Sequence, residues 1–145
     1  PLNSDYQVKK ISNQLSKMKR WNSIINESVE QCERLWKPKL LPCIDIYEWI
    51  GSAKEKDIIS ISVTRSKDCM ILKEWLEKLT FSESSILWNV IGPEGGWSKN
   101  ELCFFEKNRI QFIELTESIM RTSTAAINAT SILNQWRNFD MKLPN

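Results

Sequence analysis

Three of the chain's four glycines fall within five residues, in the segment Ile91-Gly92-Pro93-Glu94-Gly95-Gly96-Trp97. The residues on either side predict the local geometry. The apolar, β-favouring run at 86–91 is long enough for one buried strand. After the glycines, Ser98 and Glu101 stand at the spacing of a capping box, which predicts a helix start. A strand that turns through glycines into a helix can bring main chain close to a bound molecule, because glycine has no Cβ and tolerates positive φ. Taken alone, the segment is equally an ordinary tight turn. It fits neither the dinucleotide pattern G-x-G-x-x-G nor a P-loop, which needs a following Gly-Lys-Ser/Thr.

The rest of the chain supplies alternating elements. Residues 4–36 read as helical, since Val8, Ile11, Leu15, Met18, Ile25, Val29 and Cys32 recur at three- and four-residue steps. Pro38 and Pro42 end that helix and lead into Cys43-Ile44-Asp45-Ile46, and a short helical turn at 47–50 is closed by Gly51. Residues 58–63 alternate apolar side chains with serine and predict a strand. A second amphipathic helix spans 68–79, followed by a serine-rich loop and the strand at 86–91. A helix over 99–108, a strand at 112–115 and a last helix over 124–136 complete the pattern, the last with Ala125, Ala129, Ile132, Leu133 and Trp136 on one stripe. Strands separated by helices imply an α/β domain, a mostly parallel sheet with helices on both faces. A chain of 145 residues is one domain on the usual prior.

Composition narrows the chemistry. Histidine is absent, which removes Ser-His-Asp and Cys-His nucleophilic machinery and argues against a zinc site. Cys32, Cys43, Cys69 and Cys103 are scattered without a C-x-x-C pair and read as reduced thiols of a cytoplasmic protein. No apolar run has membrane-spanning length. Between Val8 and Lys39, eight basic residues face three acidic ones, a local charge of +5 against +2 for the whole chain. Such an element permits a polyanion such as RNA, but a charge run is usually a solvated helix face. Of the seven tryptophans, Trp97 beside the glycine turn is the candidate ligand or partner contact, and most of the others read as packing.

In an open parallel sheet ligands bind at the carboxyl ends of the strands. Two loops here leave successive strands, 92–98 and 116–124, and the second carries Arg121-Thr122-Ser123-Thr124 just before an alanine-rich helix. The pair is more specific than either alone. Ile91-Gly92-Pro93-Glu94-Gly95-Gly96 with Ser98-x-x-Glu101, and Leu115 followed by Ile119-Met120-Arg121-Thr122-x-Thr124-Ala125, resembles the 16S ribosomal RNA uracil-N3 methyltransferases of the SPOUT superfamily. Glu30-Gln31-Cys32-x-Arg34-x-x-x-Pro38 matches a third element of that family.

The resemblance implies a C-terminal trefoil knot that holds S-adenosylmethionine (SAM), a homodimer in which the last helix is an interface element, and the small-subunit ribosomal RNA as partner. It implies cofactor contacts from Val63, Thr64, Ile91, Gly92, Pro93, Gly95, Gly96, Leu115, Ile119, Met120, Arg121 and Thr122. Arg121 is the implied stabiliser of negative charge on the uracil ring, and Glu94, or solvent, the acceptor of the N3 proton; no metal or membrane is implied. The family carries glycine, a basic residue and an acid where this chain has Thr116, Ser118 and Ser123. Its N-terminal RNA-binding barrel, and the first strand and helix of its catalytic domain, are not recognisable, so residues 1–145 are expected to form a single SPOUT-type domain that begins partway in. Two other readings stay open: a non-catalytic RNA-binding or ribosome-assembly protein with the same fold, and a ribose 2′-O-methyltransferase of the same superfamily.

Overall fold

Strand pairing in this protein is parallel throughout the described residues. The computed structural model describes residues 1–6, 14–64, 69–80, 82 and 84–139. Strands β1 (Leu2–Asn3) and β2 (Ile44–Asp45) form a small two-stranded sheet. A second sheet contains β3 (Ile58–Ser62), β4 (Met70–Ile71), β5 (Leu87–Ile91) and β6 (Gln111–Glu114) in the order β4-β6-β3-β5. Its central register places Ser60 opposite both Asn89 and Gln111. The helices are α1 (Gln14–Gln31), α2 (Ile46–Gly51), α3 (Leu72–Glu77), α4 (Lys99–Lys107) and α5 (Thr122–Phe139).

Side chains alternate across the strands, and both faces of the larger sheet are covered. On one face Leu72, Trp75 and Leu76 of α3 and Ala125 and Ala129 of α5 pack with Ile113 and Leu115. On the other, Ile46 and Ile50 of α2 and Phe105 of α4 pack with Ile61 and Val90. The expected parallel α/β sheet with helices on both sides is what the chain forms. Ser60 of β3 nevertheless does not face water, as a simple alternation would suggest, and Ser62 is half-buried. Ser60 is fully buried, and Asn89 of the neighbouring strand donates to Ser60 Oγ at 3.0 Å and to Ser62 Oγ at 3.2 Å. Each buried hydroxyl therefore has a partner, which removes the cost of leaving it unsatisfied.

Several element boundaries differ from the periodicity reading. The first helix is α1 alone. Residues 1–3 form β1 and its lead-in, with the Ile44 amide donating to the Pro1 carbonyl at 3.3 Å, while residues 7–13 lie outside the described residues. At its other end α1 stops at Gln31, because Glu33 takes φ 50°. Its amide then donates to Glu30 O at 3.2 Å and that of Arg34 to Val29 O at 3.1 Å. This is a Schellman motif with glutamate where glycine is usual, so no composition signal marks it. Helix α4 ends the same way, with Arg109 at φ 55° and the Ile110 amide donating to Phe105 O at 3.0 Å.

Gly51 stays inside the last turn of α2, which is capped by Asp45 at its start and Ser52 at its end. The expected helix over 68–79 is split into β4 and the shorter α3, because Met70 and Ile71 pair with Ile113 and Glu114; Asp68 lies outside the described residues. The last helix starts two residues early, at Thr122. Trp36 is 85 % exposed, so it is not a packing residue of this chain. All four cysteines are free, Cys32 and Cys103 of them exposed. Among the described residues no helix is long and apolar enough to cross a membrane.

Phe105 is fully buried and meets Trp97, Phe104 and Phe112 edge-to-face at centroid distances of 5.2, 6.4 and 6.4 Å. Removing its ring leaves a cavity in the layer beneath the glycine turn. Phe105→Ala is expected to lower unfolding free energy by about 3–5 kcal/mol in urea titration, whereas Leu35→Ala, at a residue 92 % exposed, is expected to change it by less than about 0.5 kcal/mol.

Candidate active site

Because β5, β3 and β6 are adjacent and parallel, the chain leaves all three along one edge of the sheet. The glycine segment follows β5. A Cβ on Gly92 would lie 3.0 Å from Cε2 of the Trp97 indole, so glycine is what lets that ring lie against the main chain. The indole N–H donates to the carbonyl of Ser62 at 2.9 Å, which ties this loop to the end of β3. Trp97 is thus a brace that also borders the site. The Gly96 amide donates to Pro93 O at 2.9 Å and closes a turn in which Gly96 takes φ +73°, a conformation that favours glycine. The capping box is present as predicted. Ser98 Oγ accepts from the Glu101 amide at 3.0 Å, and Glu101 Oε2 accepts from the Ser98 amide at 2.7 Å.

The second loop follows β6. Leu115 is buried, and the Thr116 hydroxyl donates to Ser118 O at 2.8 Å. Thr116 is not among the positive-φ residues, so its side chain adds no backbone strain to this loop. The first turn of α5 closes with the Ala125 amide donating to Arg121 O at 2.8 Å. The Thr122 hydroxyl donates to Gly92 O at 3.3 Å. That bond joins the two loops, which are 30 residues apart in sequence.

Between them lies a cleft of about 810 Å³, within the roughly 300–1,000 Å³ range of small-molecule sites. Val63 and Thr64 contribute from the end of β3. Ile91, Gly92, Pro93, Glu94, Gly95 and Gly96 contribute from the first loop, and Leu115, Ile119, Met120, Arg121 and Thr122 from the second. Every residue for which the resemblance implied a catalytic or cofactor contact therefore borders one cavity. Glu94 and Arg121, both exposed, are charged groups at its mouth. Sequence reasoning missed Ser62, Phe112, Ala125, Leu102 and Glu106. Leu102 and Glu106 sit four residues apart on α4, a spacing that marks a shared helix face but not what that face meets.

Behind the first loop lies a polar knot of contacts. Glu101 is fully buried, and its Oε1 accepts from the Asp5 amide at 3.0 Å. The Asp5 carboxylate accepts from the hydroxyls of Ser98 and of Tyr47, the latter at 3.1 Å. Burial, and then the hydrogen bond to Asp5, raise the Tyr47 pKa above its ordinary value of 10.0. The folded state holds the phenol proton more tightly than the unfolded chain. The corresponding stability is fully present below the unfolded pKa and is lost as pH rises through the folded one.

An α/β domain with bridged loops at the carboxyl edge of its sheet is a ligand-binding architecture. A family profile described as an RNA methyltransferase domain matches residues 1–134, and the chain belongs to that family. It is 32 % identical over 128 residues to the ribosomal RNA small subunit methyltransferase E of Mesomycoplasma hyopneumoniae, covering 88 % of this chain and 53 % of that one. It is 25 % identical over 119 residues to the protein of that name from Synechocystis sp., covering 82 % and 39 %. The chain thus spans about half or less of these curated relatives. Among solved structures, the ribosomal RNA small subunit methyltransferase E of Neisseria gonorrhoeae bound to SAM shares the fold at TM-score 0.74 and 22 % identity, over 96 % of this chain and 55 % of that one. A Legionella pneumophila protein solved with SAM has TM-score 0.78 and 26 % identity, over 93 % and 53 %.

In urea unfolding compared between about pH 9 and about pH 11, the wild-type chain is expected to lose more stability than Tyr47→Phe, which has no phenol to ionise. Equal losses would show that Tyr47 titrates alike in folded and unfolded chains.

Proposed function

We propose that this chain is the catalytic part of a SAM-dependent methyltransferase acting on N3 of a uridine in 16S ribosomal RNA of the small subunit. The observation that carries this reading is the bond from Thr122 to Gly92 O, which makes two loops the walls of one cleft. Family membership and the rRNA methyltransferase names of the relatives support the reaction class, and the SAM bound to the solved neighbours supports the cofactor.

The residues present fit that cofactor. Gly92, Gly95 and Gly96 line the cleft, the first two leaving room for Trp97 and Tyr6 and the third opening on free space, while Ile91, Leu115, Ile119 and Met120 offer apolar wall and peptide groups beside it. Val63 and Thr64, at the end of β3, would close one side of the cofactor's place. When bound, SAM supplies an electrophilic methyl group. The chain's own work is then positioning and electrostatics. Arg121, always charged and with fixed donor geometry, stabilises the negative charge that develops on the uracil ring when N3 gives up its proton. Glu94, at the same mouth, would accept that proton, the products being the N3-methylated base and S-adenosylhomocysteine. Thr116 and Ser118 keep the second loop closed with their own hydrogen bond.

A second copy of the chain is the partner in this reading, with α5 as an interface element; Ile127 on that helix is 73 % exposed. The trefoil knot belongs to the same reading. It is supported by the entry of β6 between the earlier strands β3 and β4, after which α5 packs back over α3 and β5. The cytoplasm is the compartment in this reading.

Arg121→Ala is expected to lower kcat by about 10²–10³-fold while SAM affinity, measured by calorimetry, stays within about twofold of wild type, because in this reading Arg121 meets the cofactor through its main chain, which the substitution keeps. Methyl transfer to unmodified small-subunit RNA followed by nucleoside analysis should give 3-methyluridine. Unchanged turnover would remove Arg121 from its role, and a 2′-O-methylated product would replace the base-directed reading.

A further inference from the structure

The side of the glycine turn that faces away from the cleft is backed by the N-terminal segment. A Cβ on Gly95 would meet Tyr6 Cβ at 3.1 Å and the Tyr6 carbonyl at 3.4 Å. Tyr6 reaches this place because Asp5 is fastened on two sides. Its amide is held by Glu101, and its carboxylate gathers the hydroxyls of Ser98 and Tyr47. Upstream, β1 is anchored to β2, and the Cys43 thiol donates to Asn3 Oδ1 at 3.3 Å. Three segments far apart in sequence therefore converge on two carboxylates behind one turn. Two successive glycines lose more backbone entropy on ordering than any other pair would. A turn that must present its amides in a fixed direction gains affinity when that ordering is complete before a ligand arrives.

We infer that Asp5 is a positioning residue for the cofactor-holding turn: it locks Tyr6 behind Gly95 and so fixes the main chain at 93–96 in its ligand-receiving form. This inference rests on reading the cleft as the SAM site. Asp5 touches neither cofactor nor base and acts through Tyr6, Ser98 and Glu101. Its removal therefore affects SAM binding and leaves the chemical step alone.

The test compares wild type with Asp5→Ala, Asp5→Asn and Tyr47→Phe. Amide hydrogen exchange in the ligand-free chain reads the turn itself. In Asp5→Ala, exchange at Gly95 and Gly96 is expected to accelerate about tenfold while the amides of β3 and β5 keep their rates. SAM titration is expected to show a Kd raised about tenfold, with kcat at saturating SAM within about twofold of wild type. Asp5→Asn keeps one acceptor oxygen and should recover part of the loss. Tyr47→Phe removes one donor and should give a smaller effect in the same direction, which keeps the test alive if Asp5→Ala folds poorly.

Unchanged exchange at the turn would overturn the inference, as would acceleration spread evenly through the molecule or a loosened turn that binds SAM as tightly as before. If the wild-type chain binds no SAM, the cofactor reading fails and takes the SAM half of the inference with it. The exchange measurement then still decides whether Asp5 holds the turn.

Discussion

The position of β3 in the sheet governs the rest of the structure. It pairs in parallel with β5 on one side and β6 on the other, although those strands follow it by some 30 and 50 residues in the chain. Parallel strands send their connections out from the same end, so the segments after β5 and β6 have to emerge on either side of the end of β3. The Trp97 indole donates to Ser62 O across that end, and the Thr122 hydroxyl donates to Gly92 O between the two loops. Neither bond would form if the order of strands were different. Each is worth only about 0.5–1.5 kcal/mol net, so the bonds refine a convergence that the sheet has already imposed.

The same edge explains where this protein keeps its buried polar groups. Ser98 and Glu101 are buried beside an apolar layer built on Phe105. A carboxylate in such a place is costly unless it is fully hydrogen-bonded. Glu101 meets that requirement with two backbone amides, one from the helix start that it caps and one from Asp5. A local capping device has thereby become a junction between α4 and the N-terminal segment. Charged acceptors of backbone amides make the stronger class of hydrogen bond, which suits a junction that must hold a glycine turn still. The Ser60–Asn89–Ser62 cluster meets the same requirement on the opposite face of the sheet without any charge.

Much of the fold could be read along the chain. The strands at β3, β5 and β6 were placed within one or two residues, and the capping box of α4 was identified from Ser98 and Glu101 alone. These elements are long or carry side-chain signals within a single turn. The missed features are of another kind. Strands β1, β2 and β4 are two residues each, too short for any alternation to show. The C-terminal ends of α1 and α4 use Glu33 and Arg109 in left-handed conformations, without the glycine that usually marks such an end. For the site, the two loops stood out because glycine, arginine and threonine cluster there, and the individual contacts within them followed from the resemblance to a known family. The α4 residues Leu102 and Glu106 were not, since an amphipathic pattern does not say what its polar edge will face.

The sequence by itself determined that a glycine turn would follow one strand and lead into a capped helix, and that an arginine with flanking hydroxyls would follow another. Those are properties of backbone conformation and hydrogen bonding within a few residues. Only the tertiary structure decided that the two turns share a cavity, that Thr122 closes on Gly92, and that Asp5 and Tyr6 stand behind Gly95. Those contacts span from 30 to more than 90 residues. They exist because β6 enters the sheet beside β3 and because the chain's first strand pairs with Ile44 and Asp45. Strand order of that kind is settled by which buried faces fit one another across the whole domain, and no local run of residues carries it.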